Sequence, residues 1–210
     1  MRKQNWFTVS GLLTVLALAS CAKNPADDVA AAKDVEGEVS TKQGEGTVYQ
    51  FTEDSVIEFI GSKVTGSHEG GFKTFSGTFK TDGTDLLGDE NAIEIAMNST
   101  WSDNEKLTGH LMSPDFFNVE AFPTSTFQLL TATPAEGADQ YTMVGKVTLH
   151  GVTKQISFPA KVYAGENGSP ALDAEFSINR QDYGIKFPGK PDDLIRDEVV
   201  IKLAMRSAPA

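Results

Sequence analysis

Cysteine is nearly absent from this chain: its 210 residues include one, Cys21. A single cysteine excludes a disulfide within the chain. Histidine is also scarce, and His68, His110 and His150 lie far apart, with neither a cysteine partner nor a second histidine at helical spacing. Because zinc and related metals are usually held by clustered His and Cys side chains, the sequence predicts no metal site.

Several signatures of catalysis and cofactor binding are missing. The sequence contains no G-x-S-x-G nucleophile motif and no glycine pattern of the Rossmann or P-loop type. The acidic pair Asp192-Asp193 lies in a proline-rich stretch, which is typical of a solvated loop. We therefore expect a protein that is not an enzyme and needs no cofactor.

Basic residues are in short supply. The chain has 18 Lys and Arg against 29 Asp and Glu, a formal charge of −11. Nucleic acids reward basic patches, so a nucleic-acid partner is not expected. The same balance disfavours electrostatic attraction to anionic lipid headgroups.

The N-terminus has the pattern of a bacterial lipoprotein signal. Arg2 and Lys3 precede an apolar run at 6–19, which is too short for a good membrane span, and small residues lead to Cys21. We predict a signal peptide over 1–20 and acylation of Cys21, which would anchor the exported protein in the cell envelope, on the periplasmic or outer-membrane face. An ordinary signal peptide with a coincidental cysteine is the alternative. Residues 21–46 contain no aromatic side chain and predict a flexible tether.

From Thr47 onward, apolar residues alternate with polar ones at the period of a β-strand. Turn signals such as Thr81-Asp82-Gly83 and His150-Gly151 separate about eight such segments. This spacing favours an all-β domain, either an antiparallel barrel or a sandwich. Small and flexible residues among the apolar ones suggest an empty apolar interior, although the glycines would equally relieve crowding where a barrel bends. They are Gly61, Gly77, Gly145, Ala160, Ala174, Met97, Met143 and Met205.

One stretch, Trp101 to Phe127, interrupts the strand pattern. Ser102 and Glu105 fit a capping box, and Leu107 and Leu111 follow at helical spacing. We predict one short helix at about 103–118, with a second start at Ser113-Pro114. Its aromatic residues suggest a lid pressed against an apolar opening; a connector that covers a sheet end is the alternative.

Four motifs resemble the YceI-like family. They are H-L-M-S-P-D-F-F-N at 110–118 with F-P-T-S-T-F at 122–127, G-K-V-T-L-H-G-V-T-K at 145–154, F-S-I-N-R-Q-D-Y-G-I at 176–185, and F-S-G-T-F at 75–79. The resemblance spans 47–206. It implies an eight-stranded antiparallel, lipocalin-like barrel that binds a polyisoprenoid or similar apolar lipid, for transport, storage or sequestration. Relatives of this kind also imply a possible homodimer.

With that fold, the side chains expected at the ligand are mostly aromatic. His110 is expected to be a polar group at the mouth or a donor that positions the helix, and Arg180 either meets a lipid headgroup or forms an ion pair that pins the strand end. A barrel without a ligand, serving structure or interaction, and a lipid-modifying enzyme remain alternatives. The predicted ligand-binding residues are Phe59, Phe75, Phe79, Ile95, Met97, Trp101, His110, Leu111, Phe116, Phe117, Phe127, Met143, Phe158, Phe176 and Arg180.

Overall fold

The computed structural model describes residues 22–42, 44–83, 85–87, 90–165 and 168–210, so the predicted signal peptide and Cys21 lie outside the described residues. The helix is α1 (Glu105–Met112), and 3₁₀ turns cover Pro25–Asp28, Met97–Ser99 and Arg180–Tyr183. The strands are β1 (Ala30–Ala31), β2 (Lys33–Asp34), β3 (Thr47–Phe51), β4 (Val56–Lys63), β5 (Gly66–Phe72), β6 (Phe75–Thr81), β7 (Ala92–Ala96), β8 (Thr100–Ser102), β9 (Thr124–Pro134), β10 (Gln140–Leu149), β11 (Val152–Ala164), β12 (Pro170–Asn179), β13 (Gly189–Lys190), β14 (Asp193–Leu194), β15 (Glu198–Met205) and β16 (Ser207–Pro209).

The main sheet closes on itself as a barrel. Short bends separate β3 from β4, β5 from β6, β7 from β8 and β15 from β16, so each pair forms one long bent strand. Together with β9, β10, β11 and β12 these make eight antiparallel strands, each hydrogen-bonded to the next along the chain. The last pair returns to the first, since β15 pairs with β4 and β16 with β3. The predicted eight-stranded antiparallel barrel is confirmed.

The period-2 pattern correctly marks the inner face. Ile57 and Phe59 on β4 are buried inside, as are Ile156 and Phe158 on β11. The pattern fails at one place, where the 3₁₀ turn Met97–Ser99 bends the chain between β7 and β8. This turn moves the strand from its ladder with β6 to its ladder with β5, and so helps to close the barrel.

The N-terminal segment is part of the barrel wall. The ladder between β11 and β12 stops at Lys161 and Asp173, and beyond this point the two strands take different partners. There β1 pairs with β12 and β2 with β11, so residues 30–34 fill the gap; we call them the strap. Ala32, between the two short strands, packs against the barrel core. The predicted flexible tether is therefore wrong for the strap, because small side chains let this backbone complete an open sheet edge.

The predicted helix is present, with narrower bounds than expected. Its N-cap is Asn104, whose Oδ1 accepts a hydrogen bond from Leu107 N at 3.1 Å, and not Ser102. Ser102 Oγ instead donates to the Asn104 carbonyl oxygen, at 2.8 Å. The second start is also wrong: Ser113 is the C-cap of α1, and turns follow it. No helix in the described ranges is long and apolar enough to cross a membrane.

Candidate functional site

An apolar cavity of about 120 Å³ lies inside the upper half of the barrel, the end that carries α1. We call it the inner chamber. Its lining is almost wholly aliphatic and aromatic, with Glu58, Ser125 and Thr126 as the polar exceptions. A cavity of this kind excludes water and accepts small apolar molecules; one of about 150 Å³ takes benzene. The apolar lining is Ile57, Phe59, Phe72, Ile93, Ile95, Phe117, Phe127, Val147, Leu149, Ile156, Phe158, Phe176, Ile178, Ile201 and Leu203.

A second cavity of about 310 Å³, the outer chamber, lies nearer the surface at the same end. Phe59 lines both chambers. The outer chamber is more polar at its rim than the inner one, with Lys63, His68 and Asp193 among its lining residues. The remaining lining residues are Gly61, Ser62, Leu107, His110, Leu111, Phe116, Phe187, Gly189, Lys190 and Ile195.

Three phenylalanine rings stand where the chambers meet. Phe59, Phe72 and Phe117 contact one another, with ring centroids 5.8 to 6.1 Å apart. Phe117 comes from the turn after α1, whereas the other two lie on neighbouring barrel strands. Phe59 is the member of this cluster that lines both chambers, whereas Phe72 and Phe117 line the inner one.

The mouth above these rings is covered by α1 and by the segments after it. Leu111 and Phe116 are buried in a hydrophobic cluster with Phe59 and Ile185. Phe117 continues from this cluster to the wall of the inner chamber. The stretch therefore covers this end of the barrel, and its role as a lid stays a prediction.

The lower half of the barrel is packed. A space of about 20 Å³ lies there, beside Phe79 and Met143. Met143 and Met205 are each 1% exposed. The expectation that methionines line an open cavity is thus wrong, because these side chains fill the space themselves.

The glycines on the inner face mostly make room for aromatic rings and do not create empty space. A Cβ on Gly145 would lie 2.3 Å from a carbon of Phe127, and one on Gly77 would lie 2.5 Å from Phe51. Gly61 is the exception among those predicted, since a Cβ there would meet nothing within 4 Å. Most of these glycines therefore relieve crowding, which was the alternative interpretation, while Gly61 borders the outer chamber.

The structure gathers most of the predicted ligand-binding residues around the two chambers. Six line the inner chamber: Phe59, Ile95, Phe117, Phe127, Phe158 and Phe176. His110, Leu111 and Phe116 line the outer chamber together with Phe59. Phe79 and Met143 belong to the packed lower half.

Six predicted residues line neither chamber: Phe79 and Met143 of the lower half, Arg180, and also Met97, Trp101 and Phe75. Met97 is buried in the 3₁₀ turn that bends the barrel strand. The indole of Trp101 covers Gly71 on the adjacent strand, where a Cβ would lie 2.9 Å from Trp101 Nε1. Phe75 packs against the main core. Met97 and Trp101 continue an alternating apolar pattern that the bend at Met97–Ser99 interrupts.

Arg180 lies outside both chambers and fastens the loop beside the mouth. It is 5% exposed, and its guanidinium donates to the carbonyl oxygens of Ile185, Ile195 and Arg196. It also pairs with Asp197, with Nη2 3.0 Å from Oδ1. The ion-pair interpretation of Arg180 therefore holds, and the headgroup interpretation is wrong.

A convergent catalytic set would require His110, Arg180 and Asp182 to meet. Instead His110 Nε2 lies 2.9 Å from Asp115 Oδ2, and Asp182 pairs with Lys154 at 3.3 Å. The His110 ring also packs edge-on against Phe116 and Phe187, so it is a polar group at the mouth. In the part of the chain that the structure describes, no three His, Cys, Asp or Glu side chains are grouped to hold a metal ion.

Most of the residues that line the inner chamber but are absent from the predicted ligand-binding set are aliphatic. Ile57, Ile93, Ile178 and Ile201 occupy the same inward alternation as the chosen aromatics, so the sequence carried their signal. Phe72 carries no such signal in the sequence, because it ends a glycine-rich strand in which apolar and polar residues do not alternate.

A closed eight-stranded barrel with an apolar hollow beneath a short helix has the architecture of lipocalin-like proteins. Within this class, a family model described as the YceI-like domain matches residues 47–206. The chain therefore belongs to the YceI-like family.

Relatives and solved structures agree with this assignment. A UPF0312 protein of Pseudomonas putida strain W619 is 29% identical over 163 residues, covering 72% of this chain and 83% of the relative. Protein YceI of Salmonella paratyphi B is 34% identical over 122 residues, covering 55% and 62%. The crystal structure of Burkholderia cenocepacia BcnA is similar in fold, with a TM-score of 0.63, 24% identity and coverage of 73% and 96%. A structure described as a polyisoprenoid binding domain from Saccharophagus degradans has a TM-score of 0.62, 15% identity and coverage of 79% and 100%.

Proposed function

We propose that this protein binds one long apolar lipid, of isoprenoid or similar type, and does not transform it. The observation that carries the proposal is the pair of mostly apolar chambers that share Phe59 in their linings. Burial of a hydrocarbon tail would supply the affinity, at roughly 25 cal/mol per Å² before the costs of association. The binding of polyisoprenoid named for a structural neighbour supports the same ligand class.

The inner chamber alone, at about 120 Å³, is too small for such a chain. Entry therefore requires the phenylalanine rings to separate, so that the tail runs from the outer chamber into the inner one. The lid residue Phe117 is the natural moving part, since it follows a short helix and not a barrel strand.

The biological setting follows from the predicted acylation of Cys21. The mature protein would be exported and held in the cell envelope by this anchor, as a carrier, store or sequestering protein for the lipid. Binding without catalysis is favoured because His110, Arg180 and Asp182 each have separate partners.

Extraction of lipid from protein purified from its own membranes, followed by mass spectrometry, tests the proposal. We expect about one apolar lipid per chain. The variant Ile178→Trp fills the inner chamber and should lose that lipid. The control Val56→Trp adds the same bulk at a side chain that is 39% exposed, and should retain it.

Two results would contradict the proposal. One is recovery of no stoichiometric lipid from the unaltered protein, which would leave a barrel serving structure or interaction. The other is equal lipid content in Ile178→Trp and Val56→Trp, which would place the lipid outside the inner chamber.

A further inference from the structure

The first described residue of the mature chain is fastened to the mouth of the barrel. Ala22 N donates to the Val64 carbonyl oxygen at 3.2 Å, at the turn between β4 and β5. The Ala22 carbonyl oxygen accepts from Arg196 Nη2 at 2.6 Å. The chain therefore enters the structure at the same end as α1 and both chambers.

Arg196 ties this entry point to the rim. Its Nη1 donates to the Lys63 carbonyl oxygen at 2.9 Å, and its backbone N–H donates to Ser62 at 2.9 Å. One side chain thus links the N-terminal segment to the end of β4, so the entry point is held in a fixed place relative to the mouth.

An exposed apolar pair lies at this rim. Among the described residues, three large hydrophobic side chains are more than a third exposed: Val56, Val64 and Leu194. Val64 and Leu194, at 38% and 50% exposure, are neighbours, because Val64 N donates to the Leu194 carbonyl oxygen at 3.2 Å. Isolated exposed hydrophobic residues need no explanation, but these two lie side by side next to residues that line the outer chamber.

The pair borders the outer chamber directly. Lys63 precedes Val64, and Asp193 and Ile195 flank Leu194; all three line that chamber. Lys63 and Asp193 also form an ion pair, which fixes the two rim segments to each other. A surface that covers Val64 and Leu194 would therefore cover the chamber entrance as well.

We propose that Val64 and Leu194 rest on a lipid bilayer, with the entrance of the outer chamber turned toward it. This inference rests on the proposed function and on the predicted acylation of Cys21. Because Cys21 is bonded to Ala22, the acyl chains would emerge beside this rim and not at the far end of the barrel. The acidic chain gains no attraction from anionic headgroups, so the anchor and the apolar pair together supply the contact.

Fluorescence quenching by lipid-bound quenchers in phosphatidylcholine vesicles tests this orientation. In the full acylated chain Cys21 is blocked, so a cysteine introduced by Leu194→Cys carries an environment-sensitive dye alone. The matched control is Glu136→Cys, an exposed site in the turn between β9 and β10 at the opposite end. We expect quenching several-fold stronger at 194 than at 136. Equal quenching, stronger quenching at 136, or a purified chain without acyl groups would overturn the proposal.

A second measurement separates this orientation from lipid binding itself. Val64→Asp with Leu194→Asp should slow lipid uptake from vesicles several-fold and leave unchanged the amount bound when lipid is supplied in detergent. Val56→Asp, at the other exposed valine, should change neither. Normal uptake by the double variant would overturn the membrane contact while the lipid site stands. Loss of bound lipid in detergent by the unaltered protein would instead count against the proposed function.

Discussion

The ring of Phe59 lies directly over Gly70 on the neighbouring strand. The two residues face each other in the ladder between β4 and β5, and a Cβ on Gly70 would lie 2.4 Å from Phe59 Cζ. The missing side chain thus sets the position of a ring that separates the two chambers. A glycine on β5 thereby controls the shape of the cavity without lining it.

Replacing Gly70 with Ala should destabilise the protein by about 1–3 kcal/mol, the usual cost of overpacking. The new methyl group would also meet the Trp101 carbonyl oxygen at 2.6 Å, which is backbone and cannot swing away. Urea unfolding measures the change. Gly61→Ala is the control, since its Cβ would meet nothing within 4 Å; an equal loss in both variants would contradict this account.

The barrel strands can be predicted from alternation because every second side chain of a strand points to the same face, whatever the distant parts of the chain do. Ile57 and Phe59 are examples: their spacing alone places both inside. The chambers do not follow in the same way. Whether inward side chains leave space depends on how rings such as Phe158 and Phe176 on neighbouring strands pack against each other, and this is fixed by register and tertiary packing.

The strap was missed for a different reason. Its sequence, Ala-Ala-Ala-Lys-Asp at 30–34, has neither alternation nor β-branched residues. It is held by backbone pairing to β11 and β12, which separate beyond Lys161 and Asp173. The sequences of β11 and β12 do not predict that separation. The N-cap of α1 is a smaller case. Ser102 and Asn104 are both suitable residue types for an N-cap, and the local backbone geometry makes Asn104 the cap.

Arg180 is predicted to stabilise the mouth and not to select the ligand. Arg180→Ala leaves three backbone carbonyl oxygens without their donor, at about 1–3 kcal/mol for each that stays buried and unsatisfied. Arg180→Lys should recover little, since an ammonium group lacks the planar fork of donors. Urea unfolding gives the stability, and mass spectrometry of the bound lipid gives the selectivity. A changed lipid headgroup profile with unchanged stability would contradict this role.

The strap should loosen at alkaline pH. Lys154 Nζ lies 2.8 Å from Asp34 in β2 and 3.3 Å from Asp182 near the mouth. Its pKa is raised, first by the hydrogen bond to Asp34 and then by the one to Asp182. The stabilisation that the Lys154 ion pairs give the folded protein is therefore complete below the pKa of Lys154 in the unfolded chain, about 10.4. It is lost as the pH rises through the higher pKa of the folded protein.

Limited proteolysis within residues 30–35, with a protease active at alkaline pH, measures this loosening. Lys154→Met should make the strap more easily cleaved already at neutral pH and remove most of the pH dependence. Lys80→Met is the matched control, because Lys80 pairs with Glu90, at 3.1 Å, on β6, whose ladders are with β3 and β7 and not with the strap. Identical cleavage of the Lys154 variant and the unaltered protein would show that backbone pairing alone holds the strap.

The hydroxyl of Tyr183 gives the last prediction. Tyr183 is 1% exposed, and its hydroxyl makes no hydrogen bond to any residue that the structure describes. Burial raises the pKa of this phenol well above its ordinary value, and the charges of Asp34 and Asp182 raise it further. Above about pH 10 the unfolded chain loses this proton and the native chain does not. The stability contribution is thus complete below that pH and declines above it.

Tyr183→Phe should therefore be neutral or slightly stabilising at neutral pH, because an unsatisfied buried polar group is removed, and it should reduce the alkaline loss of stability. Urea unfolding at neutral and alkaline pH measures both effects. The control is Tyr163→Phe, which removes a hydrogen bond of 2.9 Å to Asp173 and should cost about 0.5–1.5 kcal/mol. A cost for Tyr183→Phe as large as that for Tyr163→Phe would mean that the Tyr183 hydroxyl has a partner in the folded protein, and the assignment of an unsatisfied buried hydroxyl would be wrong.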